Sequence, residues 1–230
     1  MKFYMKIDIL TIFPEMFDGF LNTSIIKRAI EQGIVTINVH NFRDYSLDKH
    51  KKVDDYPYGG GSGMVLMCEP IFRAIEAIKT DDSLIIMLTP SGTVFKQQLA
   101  ISLSKYKHLI LLCGHYEGFD ERIKSIVDLQ VSIGDYVLTG GEIPAMAITD
   151  SITRLIPGVI TDGSLVSESF NENLLDYPVY TRPEVFRGMA VPEVLLSGHH
   201  KNIEEYRHQE RIRLTNELRG DLTKDANDEQ

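Results

Sequence analysis

The sequence predicts an α/β fold in which a parallel sheet carries helices on both faces, followed by a small helical lobe. Three observations carry this. Short apolar, β-branched-rich runs alternate with stretches at helical spacing through the first 160 residues. The runs are almost continuously apolar, as strands buried on both faces must be. After residue 176 the pattern changes to a charge-rich helical stretch.

The elements follow in order. "KIDILTI" (6–12), "IVTINVH" (34–40), "SLIIML" (83–88) and "HLILLC" (108–113) read as strands. "TSIIKRAIEQG" (23–33), "EPIFRAIEAI" (69–78), "FKQQLAISLSKY" (95–106) and "IPAMAITDSITRLI" (143–156) place apolar residues one helical turn apart. Pro14 stands where a helix can start and Gly33 where one can stop. "QVSIGDYVL" reads as a further strand leading into the last of these helices. Residues 48–64, "DKHKKVDDYPYGGGSGM", have no period and three consecutive glycines, a length and composition expected of a functional loop. The expected domains are 1–160, a linker over 161–176, and a smaller helical domain over 177–230 built around "NIEEYRHQERIRLTNELR" (202–219).

Composition narrows the function classes. No run of 18 apolar residues is present to span a membrane, and the apolar start carries Lys6 and Asp8, so it reads as a core strand and not a signal peptide. Cys68 and Cys113 are the only cysteines, too few for a disulfide framework; a reducing cytoplasm is expected. The net charge of −9 argues against a generic nucleic-acid coat, yet basic residues concentrate at "KHKK" (49–52), "IKR" (26–28) and after residue 180. The last ten residues, "DLTKDANDEQ", read as an acidic tail.

Chemistry is suggested by three loops. "LTPSG" (88–92) and "LCGHYEGFDER" (112–122) follow buried strands at their carboxyl ends, where open α/β sheets bind ligands. "SIGDYVLTGGEIPA" (132–145) precedes a helix but has neither dinucleotide-fold nor P-loop spacing. Together they make a pocket walled mainly by backbone, suited to adenine and ribose.

In order along the chain stand "YGGGSGM" (58–64), "CGHYEGFDER" (113–122), "SIGDYVLTGGEIPAM" (132–146), "DSITRLIPGV" (150–159), "LLDYPVYTRPEVF" (174–186) and "VPEVLLSGHH" (191–200). This series closely resembles the bacterial tRNA (guanine-N1-)-methyltransferases that modify guanosine 37, and it fades only after about residue 215. The resemblance implies an S-adenosylmethionine enzyme whose catalytic domain ends in a trefoil knot, a topology that periodicity could not reveal. It also implies a homodimer with active sites shared between subunits, and a reported need for Mg²⁺, although no ligand cluster is visible.

Carried over by position, Gly114, Ile133, Gly134, Asp135, Tyr136, Val137 and Leu138 would meet adenine and ribose, and Gly140 and Gly141 would let the chain pass close to the donor. Pro90 and Pro144 would line the pocket, and Tyr116 and Glu117 would touch either the ribose or the methionine portion. Arg154 matches the family's catalytic arginine. Where the family usually has aspartate before Ser-Phe, this chain reads "ESF", which puts Glu168 forward as general base with Asp176 as the alternative. Arg182, Lys201, Arg207 and Arg211 are the candidate tRNA contacts, with Arg213, Arg219 and the 49–52 loop in reserve. Other readings are a related knotted methyltransferase acting on another RNA site and a non-catalytic S-adenosylmethionine-binding regulator.

Overall fold

The computed structural model describes residues 4–160 and 168–223. Part of the expected linker (161–167) and most of the acidic tail (224–230) lie outside the described residues. The chain divides into two compact units, Met1–Thr161 and Asp162–Gln230.

The first unit runs β1 (Met5–Thr11), α1 (Asp18–Leu21), α2 (Ser24–Glu31), β2 (Val35–Asn41), β3 (Asp54–Asp55), β4 (Val65–Leu66), α3 (Cys68–Ile78), β5 (Ser83–Val94), α4 (Gln97–Leu103), β6 (His108–Cys113), β7 (Leu129–Ser132) and α5 (Glu142–Thr153). Five strands form one sheet in the order β2-β1-β6-β5-β7, every pair parallel. The two-residue period of the strands divides their apolar side chains between two layers. Ile7, Ile9, Leu109, Leu111 and Ile86 pack with Ile26 and Ala29 of α2 and Ala145, Ile148 and Ile152 of α5. Leu10, Ile110, Leu112, Ile85 and Met87 pack with Ile71, Ala74 and Ile75 of α3. Helices therefore cover both faces, as the uninterrupted apolar runs require.

Two strand limits differ from expectation, and both differences shape the site. Strand β5 continues past "LTPSG" to Val94, with a register shift between Leu88 and Thr93 where it pairs with β7. Gly92 makes the return possible, since a Cβ there would lie 2.4 Å from the Val131 amide nitrogen. Strand β7 stops at Ser132 and does not extend through "IGDYVL". The glycine run at 59–63 tops a small hairpin, because β3 and β4 pair antiparallel beneath it.

A carboxylate is sealed inside the sheet. Asp8, fully buried in β1, accepts from Lys6 at 2.6 Å, Asn38 at 2.8 Å, His40 at 3.0 Å and His108 at 2.7 Å. Burial pushes its carboxyl upward, but the contacts from His40, Lys6, Asn38 and His108 outweigh that and hold it well below the usual carboxylate range.

The second unit is less purely helical than the charge pattern predicts. An antiparallel pair, β8 (Val185–Phe186) and β9 (Met189–Ala190), precedes α6 (Glu193–Leu196) and the long α7 (His200–Leu218). Among the described residues no helix is long and apolar enough to cross a membrane.

Candidate functional site

The bulged middle of β5, the loop after β6, the segment after β7 and the first turn of α5 enclose a cavity of about 380 Å³. A small-molecule site of this size is ordinary. Its walls are the three glycine- and proline-bearing segments expected from sequence. Pro90, Gly114, Tyr116, Glu117, Ile133, Gly134, Tyr136, Val137, Leu138, Gly140, Gly141 and Pro144 all line it. Asp135 does not. Thr89, Ser91, His115, Ser132 and Thr139 do, though none was singled out from sequence. Their proximity to glycines already identified was the signal available, since all five lie inside the quoted loops.

Backbone geometry shapes each wall. After β7, Ser132 folds the chain back on itself: its hydroxyl donates to the Gly134 carbonyl at 3.1 Å and accepts from the Gly134 amide at 3.2 Å. Gly134 sits at φ 146°, a conformation that favours glycine, with the Tyr136 ring packed where a Cβ would project. The Tyr136 hydroxyl donates to the Ile133 carbonyl at 3.3 Å. Tyr116 occupies the left-handed region at φ 59° at the tip of the β6 loop.

The glycine pair at 140 and 141 lines the cup and also packs against the loop after β6. Gly141 donates its amide to the Gly114 carbonyl at 2.8 Å, and His115 forms a bridge with Gly140. A Cβ on Gly141 would meet the Cys113 and Gly114 backbone at 2.7 and 2.8 Å; one on Gly140 would meet Glu142 Oε2 and, at 2.7 Å, His115 Nδ1. The close approach these glycines permit is therefore of chain to chain. Glu142, buried at the start of α5, accepts from the Thr11 hydroxyl at 2.7 Å and ties that helix to the end of β1. Burial and the nearby Glu142 carboxylate push the Cys113 thiol well above its ordinary value, so it is an inert part of the core behind the cup.

The remaining candidates are placed by their own units. Arg154 is half-buried and caps the carboxyl end of α5. In the second unit Glu168 is half-buried, and the Asp176 amide donates to the Ser169 hydroxyl at 3.0 Å, closing a loop that brings the backbone of 168–169 next to Asp176. The Asp176 carboxylate itself accepts from the Tyr177 amide at 2.7 Å. Arg182, Lys201 and Arg207 are exposed. Arg211 is not: it is 8% exposed and donates to the Leu175 carbonyl at 3.2 Å and to Glu172 at 3.3 Å, binding α7 to the segment that precedes it. Among the described residues no group of three or more His, Cys, Asp or Glu side chains is placed to hold a metal ion.

Comparison with known proteins identifies the family. The profile of one family, described as tRNA (Guanine-1)-methyltransferase TrmD, matches residues 5–225, extending beyond the point where the motif resemblance fades. A tRNA (guanine-N(1)-)-methyltransferase of Ureaplasma urealyticum is 60% identical over 219 residues, covering 95% of this chain and 96% of the relative. Proteins of the same name from Dictyoglomus turgidum and Staphylococcus epidermidis are 56% and 54% identical, covering 95% of this chain and 89% and 90% of theirs. With nearly its whole length matched, the chain belongs to the tRNA (guanine-1)-methyltransferase TrmD family.

Proposed function

We propose that this protein transfers a methyl group from S-adenosylmethionine to N1 of guanosine 37 in tRNA. The observation that carries the reading is the cup at the β5 bulge and the loop after β6, in a chain matched over 95% of its length by a tRNA (guanine-N(1)-)-methyltransferase. The residues present fit the donor. Leu88, Ile133, Leu138 and Pro144 offer apolar contact for adenine, while exposed backbone of three loops offers partners to its edge and to ribose. Glu117 supplies a carboxylate at the rim, suited to ribose hydroxyls or to the cationic end of the donor. His115 Nδ1, buried beside the cup without a partner, is a polar atom left for a ligand or a small rearrangement to satisfy.

When bound, S-adenosylmethionine supplies an electrophilic methyl carbon. The chain's own task is proton removal and charge stabilisation. Guanine N1 carries a proton, and Glu168 is the group we assign to accept it, with Asp176 second. Arg154 is assigned to the negative charge that grows toward O6. The carboxylate and the cup belong to different units, and the proposed homodimer lets one subunit's Glu168 serve its partner's donor. The trefoil knot is proposed for the carboxyl-terminal part of the catalytic domain, with "SIGDYVLTGGE" (132–142) as its loop against the donor. Residues 1–160 form the proposed catalytic domain, 161–176 the linker and 177–230 the tRNA-binding domain. The proposed setting is the cytoplasm.

The test is mass spectrometry of tRNA transcripts after incubation with S-adenosylmethionine. N1-methylguanosine at position 37, lost when that guanosine is replaced, is the expected result. Methylation of ribosomal RNA alone, or donor binding without product, would overturn it.

A further inference from the structure

The second unit holds a concavity of about 740 Å³ built from its own residues alone. One wall is the extended run 177–184, fixed at its end where the Val191 amide donates to the Glu184 carbonyl at 2.9 Å. The other wall is α6 and the first turns of α7, which contribute an apolar floor through Leu195 and Ile203. Two tyrosines stand over this floor. The Arg207 guanidinium lies 4.7 Å from the Tyr177 ring centroid, a stacked cation–aromatic pair. Tyr180 is half exposed and lines the same concavity.

Charge separates this concavity from the rest of the unit. Arg213 is paired with Glu210 and Glu217, Arg219 with Asp221, and Arg211 with Glu172. Among the described residues, neither Arg182 nor Arg207 forms an ion pair, and both line the concavity. Its single carboxylate is Glu184. An apolar floor, two aromatic rings and two arginines without carboxylate partners suit a flat aromatic group bearing an anion.

We propose that this concavity receives one unpaired nucleotide of the RNA, its base against Tyr180 and its phosphate at Arg182 and Arg207. The inference rests on the tRNA reading above and adds to it a specific base site. Glu184 would accept from an exocyclic amino group, which favours bases that carry one.

The experiment uses the full chain and a fluorescent tRNA transcript, with S-adenosylhomocysteine binding and thermal melting as folding controls. Tyr180→Ala is expected to weaken tRNA binding roughly five- to hundredfold, the span that one base–aromatic stack gives. Tyr180→Phe, which keeps the ring, should stay within about twofold of wild type, and Arg207→Gln should reduce the salt slope by about 1. Wild-type protein crosslinked to 6-thioguanosine-bearing transcripts, whose base keeps an exocyclic amino group, should yield adducts within residues 177–182. Equal losses for the alanine and phenylalanine variants, crosslinks confined to other segments, or a change of oligomeric state in place of RNA affinity would each overturn the proposal. Should wild type neither bind nor methylate tRNA, the functional reading itself fails, a result distinct from a Tyr180 variant that binds normally.

Discussion

The Gly141 amide donates to the Gly114 carbonyl at 2.8 Å, and this one bond joins the start of α5 to the loop after β6. Gly141 has an ordinary φ of −84°, so the restriction there is space and not conformation. Gly141→Ala places a methyl group 2.7 Å from the Cys113 Cα. We expect a loss of about 1–3 kcal/mol in stability and markedly weaker S-adenosylhomocysteine binding. Urea melts and titration calorimetry check both; unchanged affinity would mean that the cup does not depend on this approach.

Asp8 makes stability depend on acid. Its folded carboxyl is held below its unfolded value, so its contribution is complete above about pH 5 and fades as the pH falls toward the folded value. Asp8→Asn should cost about 3 kcal/mol at pH 7, and the gap to wild type should shrink between about pH 5 and pH 3. Urea midpoints at several pH values measure it, and a gap that widens on acidification would contradict the assignment.

Glu168 is tested by removing its basicity. Glu168→Gln should lower single-turnover methyl transfer by roughly 10²–10⁴-fold, while Glu168→Asp, a shorter carboxylate, should lose no more than about 10²-fold. Near-normal transfer by the glutamine variant would shift the role to Asp176.

Arg211 should behave as a tether. The Glu172 contact is largely solvated and contributes little, so the effect comes from the buried guanidinium and its bond to the Leu175 carbonyl. Arg211→Met should lower stability by about 1–2 kcal/mol and leave the salt slope of tRNA binding unchanged. A slope reduced by about 1 would restore it as a phosphate contact.

Much of the cup was legible because its walls are short loops with strong local signals. Gly114, Gly134, Gly140 and Pro144 stand at the ends of runs whose period identifies them as strands or helices. Asp135 was carried along with its neighbours, but no local rule fixes which way a side chain turns in a loop without a repeating period. His115 went unnoticed for the same reason. Arg211 shows the limit on a helix: one face of α7 meets residues 172–175, and the charge pattern of the helix alone does not say which.

The sequence by itself determined the parallel sheet, the helices on its two faces, the three loops that wall the cup and, through six motifs in register, the family. These follow from periodicity and turn chemistry, which act over a few residues. Tertiary structure decided that Asp8 would gather His40 and His108, that β5 would run on past its bulge to Val94, and that Gly141 would press against Cys113. Each depends on the strand order β2-β1-β6-β5-β7, which brings together residues up to 100 positions apart. Partners at that separation are chosen by the packing of the whole sheet, and no local stretch of chain contains that information.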